Sequence, residues 1–282
     1  MKLGVVEVQG RKLLAEIDGD TAYGLAWPDS NMIGLIRRGI TPTRTYERFP
    51  IANAAFRAPL HPGKIIAVGR NYAEHAKETG SVPPERPLLF AKLSSAVIGS
   101  GEAITWRTSN TTEVDWECEL AVVIGRTAKD VPEDMALDYV FGYTVANDVS
   151  ARDIQNRIDS QWTRGKGLDT FCPLGPYIVT RDEIADPQNL SLKTTVNGEV
   201  MQDGNTRDMI FGVSTLIAYT TRSITLEPGD VIITGTPAGV GMGMKPPRFL
   251  KHGDVVTVSV EGIGEIANPC EVNDDLAGGG GL

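Results

Sequence analysis

The stretch Val114-Asp-Trp-Glu-Cys-Glu-Leu120, followed at once by the apolar run Ala121 to Ile124, decides how this chain is read. Asp115, Glu117 and Glu119 alternate with Trp116, Cys118 and Leu120. In a β-strand the period of two would set the three carboxylates on one face. Negative charges held that close repel each other, so each must take up a proton, pair with a base or share a cation. Asp148, in Ala146-Asn-Asp-Val-Ser-Ala-Arg-Asp153, also follows an apolar run. An oxygen-ligated divalent metal is the simplest account, and a solvated acidic strand face is the plain alternative. Asp115 is the weakest candidate ligand and suits an outer position or the surface.

Around that strand, the composition narrows the class. The 282 residues suffice for one large domain, or a medium domain with a small companion. An apolar content of 41% is ordinary for a globular protein. A net charge of -9 argues against a broad nucleic-acid footprint. No run approaches the ~20 apolar residues of a membrane span, so no membrane association is expected. The start, Met-Lys-Leu-Gly-Val-Val-Glu-Val, alternates like a strand and does not read as a signal peptide. Cys118, Cys172 and Cys270 are widely spaced and form no CxxC pair, which suits a reducing cytoplasm.

Residues 1–58 read as a small β-rich unit, with short strands at Val5–Val8, Leu13–Ile17 and Ala22–Leu25, a short helix over Met32–Arg38, and a proline-punctuated, linker-like stretch behind it. Residues 59–282 read as the catalytic domain, ending in a low-complexity tail, 276–282, expected to be flexible. Ile65–Val68, Leu88–Lys92, Ala103–Trp106, Gly142–Ala146, Val231–Thr234 and Val255–Val260 pattern as strands. Helices are expected over Tyr72–Thr79, from Asp130 to about Val140, over Ser150–Ile158 and over Met209–Thr220. Ser191–Val196, Asn197-Gly198 and Glu199–Gln202 make a hairpin signal with a type I′ turn.

Three histidines and no clustered cysteines give little support to a zinc site. Glu117, Glu119 and Asp148 offer hard oxygen ligands suited to Mg²⁺, Mn²⁺ or Ca²⁺. His75 and Glu78 are three apart, so a helix puts them on one face. A carboxylate beside an imidazole fixes its tautomer, which is how a water-activating base is made; the plain alternative is an ordinary surface helix. Lys166 lies between two glycines, as it would if backbone passed close to a ligand, or in a surface loop. Ile232-Ile-Thr-Gly-Thr-Pro-Ala-Gly-Val-Gly241 would place Gly and Thr donors after a strand, a plausible carboxylate-binding turn. No GxGxxG or Walker pattern is present.

Taken together, VGRNYAEH, DWECELAVVIG, ANDVSARDIQ, GKGLDTFCPLGP, VNGEVMQDGNTRDMIF and LEPGDVIITGTPAGVG resemble, in order, the motifs of the fumarylacetoacetate hydrolase family, especially its bacterial acylpyruvate hydrolase, decarboxylase and isomerase members. The resemblance runs from about Lys64 to Glu271. It implies a β-rich mixed α/β roll, a small N-terminal β domain and a homodimer. It implies that Glu117, Glu119 and Asp148 bind Mg²⁺ or Mn²⁺, that His75 and Glu78 form the water-activating dyad, and that Lys166 contacts a substrate oxygen. Arg70, Tyr72, Gln155 and Thr236 fall on substrate-binding positions, with Arg152 orienting the site around Asp148. The segment Met244–Lys251 is similar to members acting on sugar-derived 2,4-diketo acids.

The implied activity is hydrolysis of a C–C bond in a 2,4-diketo acid. Water deprotonated by the dyad attacks the distal carbonyl, and the pyruvate enolate left behind is stabilised by the metal and Lys166. The same centre without water attack would decarboxylate an oxaloacetate-like acid or isomerise a 2-hydroxydienedioate. A third account, a Ca²⁺-stapled binding module, lacks an EF-hand loop or repeated acidic motif. Substrate selectivity is expected on the loops Gly80–Glu85, Asp159–Arg164 and Met242–Phe249.

Overall fold

The computed structural model describes residues 1–28 and 31–274; the expected flexible tail lies outside the described residues. Strand is the commonest regular structure, arranged in two principal sheets. The larger runs in the order Arg44–Pro50, Thr21–Leu25, Arg11–Asp18, Lys2–Val8, Cys172–Thr180, Val140–Asn147, Cys118–Ile124, Val231–Ile233, Ile65–Gly69, Leu88–Lys92. The smaller runs Glu199–Asn205, Ser191–Val196, Val255–Val260, Gly264–Val272, Ile104–Trp106. Neighbours on these paths are antiparallel, except Val231–Ile233 beside Ile65–Gly69 and Gly264–Val272 beside Ile104–Trp106.

The strand Cys118–Ile124 is central and buried along its length. That is why its pattern is a continuous apolar run rather than an alternation. Leu120, Val122 and Ile124 enter the larger core with Leu192, Val256 and Val258 of the smaller sheet. Ala121 and Val123 point the other way, into a second core with Ile65, Ala67 and Ile233. Leu3, Val5, Leu14 and Leu35 of the N-terminal unit join that second core. The large sheet also runs on into the unit, through Leu3 opposite Ile178.

Several local expectations change in the fold. The acidic segment is not one strand. Val114–Asp115 pairs with Ser150–Ala151, Trp116 and Glu117 are unpaired, and regular pairing resumes at Cys118. The break turns Asp115 away from the face that Glu117 and Glu119 share. Asp130 does not open an α-helix: it takes a left-handed φ of 51°, and a 3₁₀ helix follows at Glu133–Tyr139, after Pro132. Ser150 and Ala151 are strand, and only Ile154–Ile158 makes a wide, π-type turn. The last helix starts at Val213 because Met209 bridges to Tyr72 instead. Two strands were not among those expected: Arg44–Pro50, within the linker-like stretch, and Cys172–Thr180. The short helix Met32–Arg38 and the hairpin at Asn197-Gly198, with φ of 52° and 82° as a type I′ turn demands, are as expected.

Candidate active site

The cross-strand register assembles three carboxylates. Cys118 lies opposite Asn147, and the Asp148 N–H donates to the Glu117 carbonyl at 2.9 Å, so Asp148 lands beside Glu117. Glu119, two residues on, points to the same side. One oxygen from each of Glu117, Glu119 and Asp148 lies within 4.8 Å of the others, and all three residues are buried. The solvated-face alternative therefore fails.

Their surroundings are charged. The Lys166 ammonium, at the end of the short helix Thr163–Lys166, donates to Glu117 Oε2 at 2.7 Å and Asp148 Oδ2 at 2.8 Å. Arg152 contacts Asp115 Oδ2 at 2.8 Å and Glu117 Oε1 at 2.7 Å. Asp115 is thus fully buried as the partner of Arg152, and Arg152 also braces Glu117. A second lysine, Lys92, was not singled out. It ends the strand Leu88–Lys92, where a terminal lysine reads as surface charge, yet it is buried. Its ammonium donates to Asp148 Oδ1 at 2.6 Å, to the Val149 carbonyl at 3.2 Å and to the Lys166 carbonyl. An ammonium has three donors. Those of Lys92 are all used, while Lys166 has one left and lines the adjoining cavity.

Without a bound cation, the buried charges balance only if one carboxyl keeps its proton. Asp115, Glu117, Glu119 and Asp148 are buried with Lys92, Arg152 and Lys166, four potential anions against three cations. Burial would raise Glu117, but the Lys166 and Arg152 charges, helped by His75, outweigh it and hold its carboxyl at about 2. Glu119 moves the other way. Burial first, then the Asp148 and Glu117 charges, push its carboxyl well above the usual range. The buried carboxylate trio, all hard oxygen donors with one member driven toward protonation, is the donor set of a divalent oxygen-ligated ion.

The glycine-rich turn does bind carboxylates, but they are the protein's own. The Gly235 N–H donates to Glu119 Oε2 at 2.6 Å, Gly239 to Glu78 Oε2 at 2.8 Å, and Gly241 to Asp115 Oδ1 at 2.7 Å. Gly239 has a φ of 104°, and a Cβ there would lie 2.1 Å from the Met201 carbonyl oxygen, so the residue must be glycine. The other oxygen of Glu78, Oε1, meets His75 Nδ1 at 2.9 Å on the helix Ala73–Glu78. With Nδ1 engaged, Nε2 is the free ring nitrogen.

A cavity of about 290 Å³ gathers most of these groups: Arg70, His75, Glu117, Arg152, Gln155, Lys166 and Thr236 all line it. Ser81, Trp162 and Met242 bring each of the three expected selectivity loops to its wall. Gln155 accepts from Arg152 at 3.0 Å, and the Thr236 hydroxyl donates to the Cys118 carbonyl at 2.9 Å. Tyr72 is placed differently: it is buried, is not among the lining residues, and its hydroxyl has no hydrogen-bond partner among the described residues. Burial pushes that phenol well above its ordinary value.

A buried carboxylate trio that could hold a metal, braced by two lysines and an arginine near a His–Glu pair on a β-rich fold, is the site of an enzyme of ketonic substrates. Residues 64–271 match the family model described as fumarylacetoacetate (FAA) hydrolase, C-terminal. The chain belongs to this family and is an enzyme of it. It is 46% identical over 246 residues to the mitochondrial oxaloacetate tautomerase Fahd2a of Rattus norvegicus, covering 84% of this chain and 78% of that protein. Among solved structures it is similar to a fumarylacetoacetate hydrolase from psychrophilic Exiguobacterium antarcticum, at 40% identity and a TM-score of 0.88, covering 97% of this chain and 100% of that one. It is also similar to a 5-carboxymethyl-2-hydroxymuconate delta-isomerase from Mycobacterium smegmatis, at 40% identity and a TM-score of 0.82, with the same coverage. No helix among the described residues is long and apolar enough to cross a membrane.

Proposed function

We propose that this chain is a Mg²⁺- or Mn²⁺-dependent enzyme that interconverts the keto and enol forms of a small 2-oxo dicarboxylic acid of the oxaloacetate type. The observation that carries the reading is one small, cation-lined cavity onto which His75, paired with Glu78, and Glu117 of the carboxylate trio both open. Glu117, Glu119 and Asp148 would hold the metal, which when bound polarises the substrate's 2-oxo group and makes its C3 protons acidic.

The chain's own residues carry the proton. Glu78, held by the Gly239 amide, takes the hydrogen bond of Nδ1–H and leaves the Nε2 lone pair of His75 toward the cavity. His75 takes a proton from C3 as the C3–H electron pair moves to the C2 oxygen, the imidazolium so formed gives that proton to the C2 oxygen, and the reverse transfer restores the ketone. The unused N–H of Lys166 steadies the negative charge that develops at the C2 oxygen. Lys92 and Arg152 keep Asp148 and Glu117 in place.

Hydrolysis of a 2,4-diketo acid remains the second reading, because the same base can take its proton from water instead of carbon. Relatives named as tautomerase and isomerase favour the first. The test follows enol-oxaloacetate and acetylpyruvate in parallel by ultraviolet absorbance, with metal-stripped and Mg²⁺- or Mn²⁺-loaded protein. Metal-dependent loss of the enol signal, abolished in His75→Ala, supports tautomerisation. Metal-dependent cleavage of acetylpyruvate alone moves the assignment to the hydrolase, and inactivity on both rejects the reading. As in the family, a homodimer is expected, and sedimentation of the purified chain measures it.

A further inference from the structure

Asp115 is the buried carboxylate of the site that stands outside the trio, and both of its oxygens are occupied. Oδ1 accepts the Trp116 N–H at 2.9 Å and the Gly241 N–H at 2.7 Å. Oδ2 accepts the Arg152 Nε–H at 2.8 Å and the Met242 N–H at 3.0 Å. A carboxylate offers about four acceptor positions, so none is left for a cation. The close approach of the turn is built into its backbone. A Cβ at Gly241 would lie 2.9 Å from Asp115 Oδ1 and would collide with the Arg248 carbonyl oxygen. The Trp116 indole donates to the Gly239 carbonyl at 3.1 Å, so the turn that supplies two of the four donors is pinned from the same segment.

What Asp115 governs is Arg152. That guanidinium is buried and divided between two acids: its Nε goes to Asp115, and its Nη1 lies 2.7 Å from Glu117 Oε1. Nη1 also donates to Gln155 Oε1 at 3.0 Å. A guanidinium commonly grips a single carboxylate with two parallel N–H bonds. Asp115 takes one arm of that fork. Glu117 then receives Arg152 on Oε1 alone, while its Oε2 accepts from Lys166 at 2.7 Å.

We propose that Asp115 is a positioning residue for the metal centre: by holding Arg152 at Nε, it keeps the guanidinium from closing on both oxygens of Glu117 and so leaves Glu117 open to a divalent cation. The inference rests on the metal-dependent reading of the site and adds what keeps an arginine and a metal from competing for one carboxylate. Both are cations drawn to the same buried anion. Released from Asp115, Arg152 turns its second N–H to Glu117 and excludes the ion in part.

Calorimetric titration of the metal-stripped protein with Mn²⁺ alone tests this, and melting in excess chelator shows which variants fold. Asp115→Asn keeps an oxygen for Trp116 and Gly241 but turns an amide toward Arg152 and Met242, so the anchor is lost. Its Mn²⁺ affinity should fall about 10–100-fold, the usual effect of removing an outer partner of a metal ligand. Adding Arg152→Gln removes the competing cation, and the double variant should recover most of that loss. A purely structural role for Asp115 predicts the reverse, because the second substitution would only add damage. A double variant no tighter than Asp115→Asn therefore overturns the inference, as does an affinity unchanged within about twofold in Asp115→Asn. Should Asp115→Asn alone fail to fold, the double variant carries the test: affinity near that of wild type supports the inference, and a loss of about 10–100-fold overturns it. Wild type that takes up no Mn²⁺ overturns the metal reading itself and the inference with it.

Discussion

Replacing Glu119 by glutamine separates the two loads that this carboxylate bears. It is buried, accepts the Gly235 N–H at 2.6 Å, and is pushed well above its ordinary value, first by burial and then by Asp148 and Glu117. An acid whose folded pKa is raised binds more protons in the folded state than in the unfolded one. Its contribution is harmless below the unfolded value, and stability is lost as pH rises from there through the folded value. The amide of Glu119→Gln keeps an oxygen for Gly235 and never ionises. In excess chelator at pH 8 the variant should therefore melt at or above wild type. Metal should reverse the order. A ligand at one hundred times its dissociation constant stabilises by about 2.7 kcal/mol, which for a chain of this size raises Tm by roughly 5–10 °C. Wild type should gain that shift from Mg²⁺ or Mn²⁺ and the variant little of it. Metal binding should also displace a proton in wild type, so apparent affinity rises with pH, and the binding heat depends on the buffer's ionisation enthalpy. A variant that is less stable in chelator yet keeps the full metal shift would refute the reasoning, because Glu119 would then be a structural acid and not a ligand.

Other outcomes follow from particular contacts. His75→Ala should lower kcat by about 10²–10⁴-fold, the usual worth of a positioned base, while the metal-induced shift in Tm persists. Lys92→Met removes the three contacts that seat Asp148, Val149 and the Lys166 carbonyl; metal affinity should fall about 10–100-fold, measured by calorimetric titration. Gly239→Ala should disrupt the Glu78 clamp and cost at least about 1–3 kcal/mol in a denaturant melt, from a left-handed φ and a 2.1 Å clash with the Met201 carbonyl oxygen. Burial pushes the thiols of Cys118, Cys172 and Cys270 up to about 12; an aromatic disulfide reagent at pH 8 should therefore label them only after unfolding.

The spacing Asp115, Glu117, Glu119 and the later Asp148 were enough to point to a hard-metal centre, because strand periodicity and charge repulsion are local arguments. Helical spacing set His75 and Glu78 on one face, but an ordinary surface helix explained that equally well, and the family resemblance marked them as a dyad. What the sequence could not contain was the break after Asp115, which sends that carboxylate to Arg152, and the register that lays Asp148 beside Glu117. Nothing in the sequence marks Lys92, at a strand end, as buried; the fold brings Asp148 to it. The glycine-rich turn read as a ligand cradle, and only folding showed that Glu78, Asp115 and Glu119 fill it. The contacts of the turn join residues more than a hundred positions apart, chosen by how the sheets pair and pack rather than by local propensity. The sequence by itself brought the acidic residues and the His–Glu pair into view as candidates; the tertiary structure decided which partner each one faces.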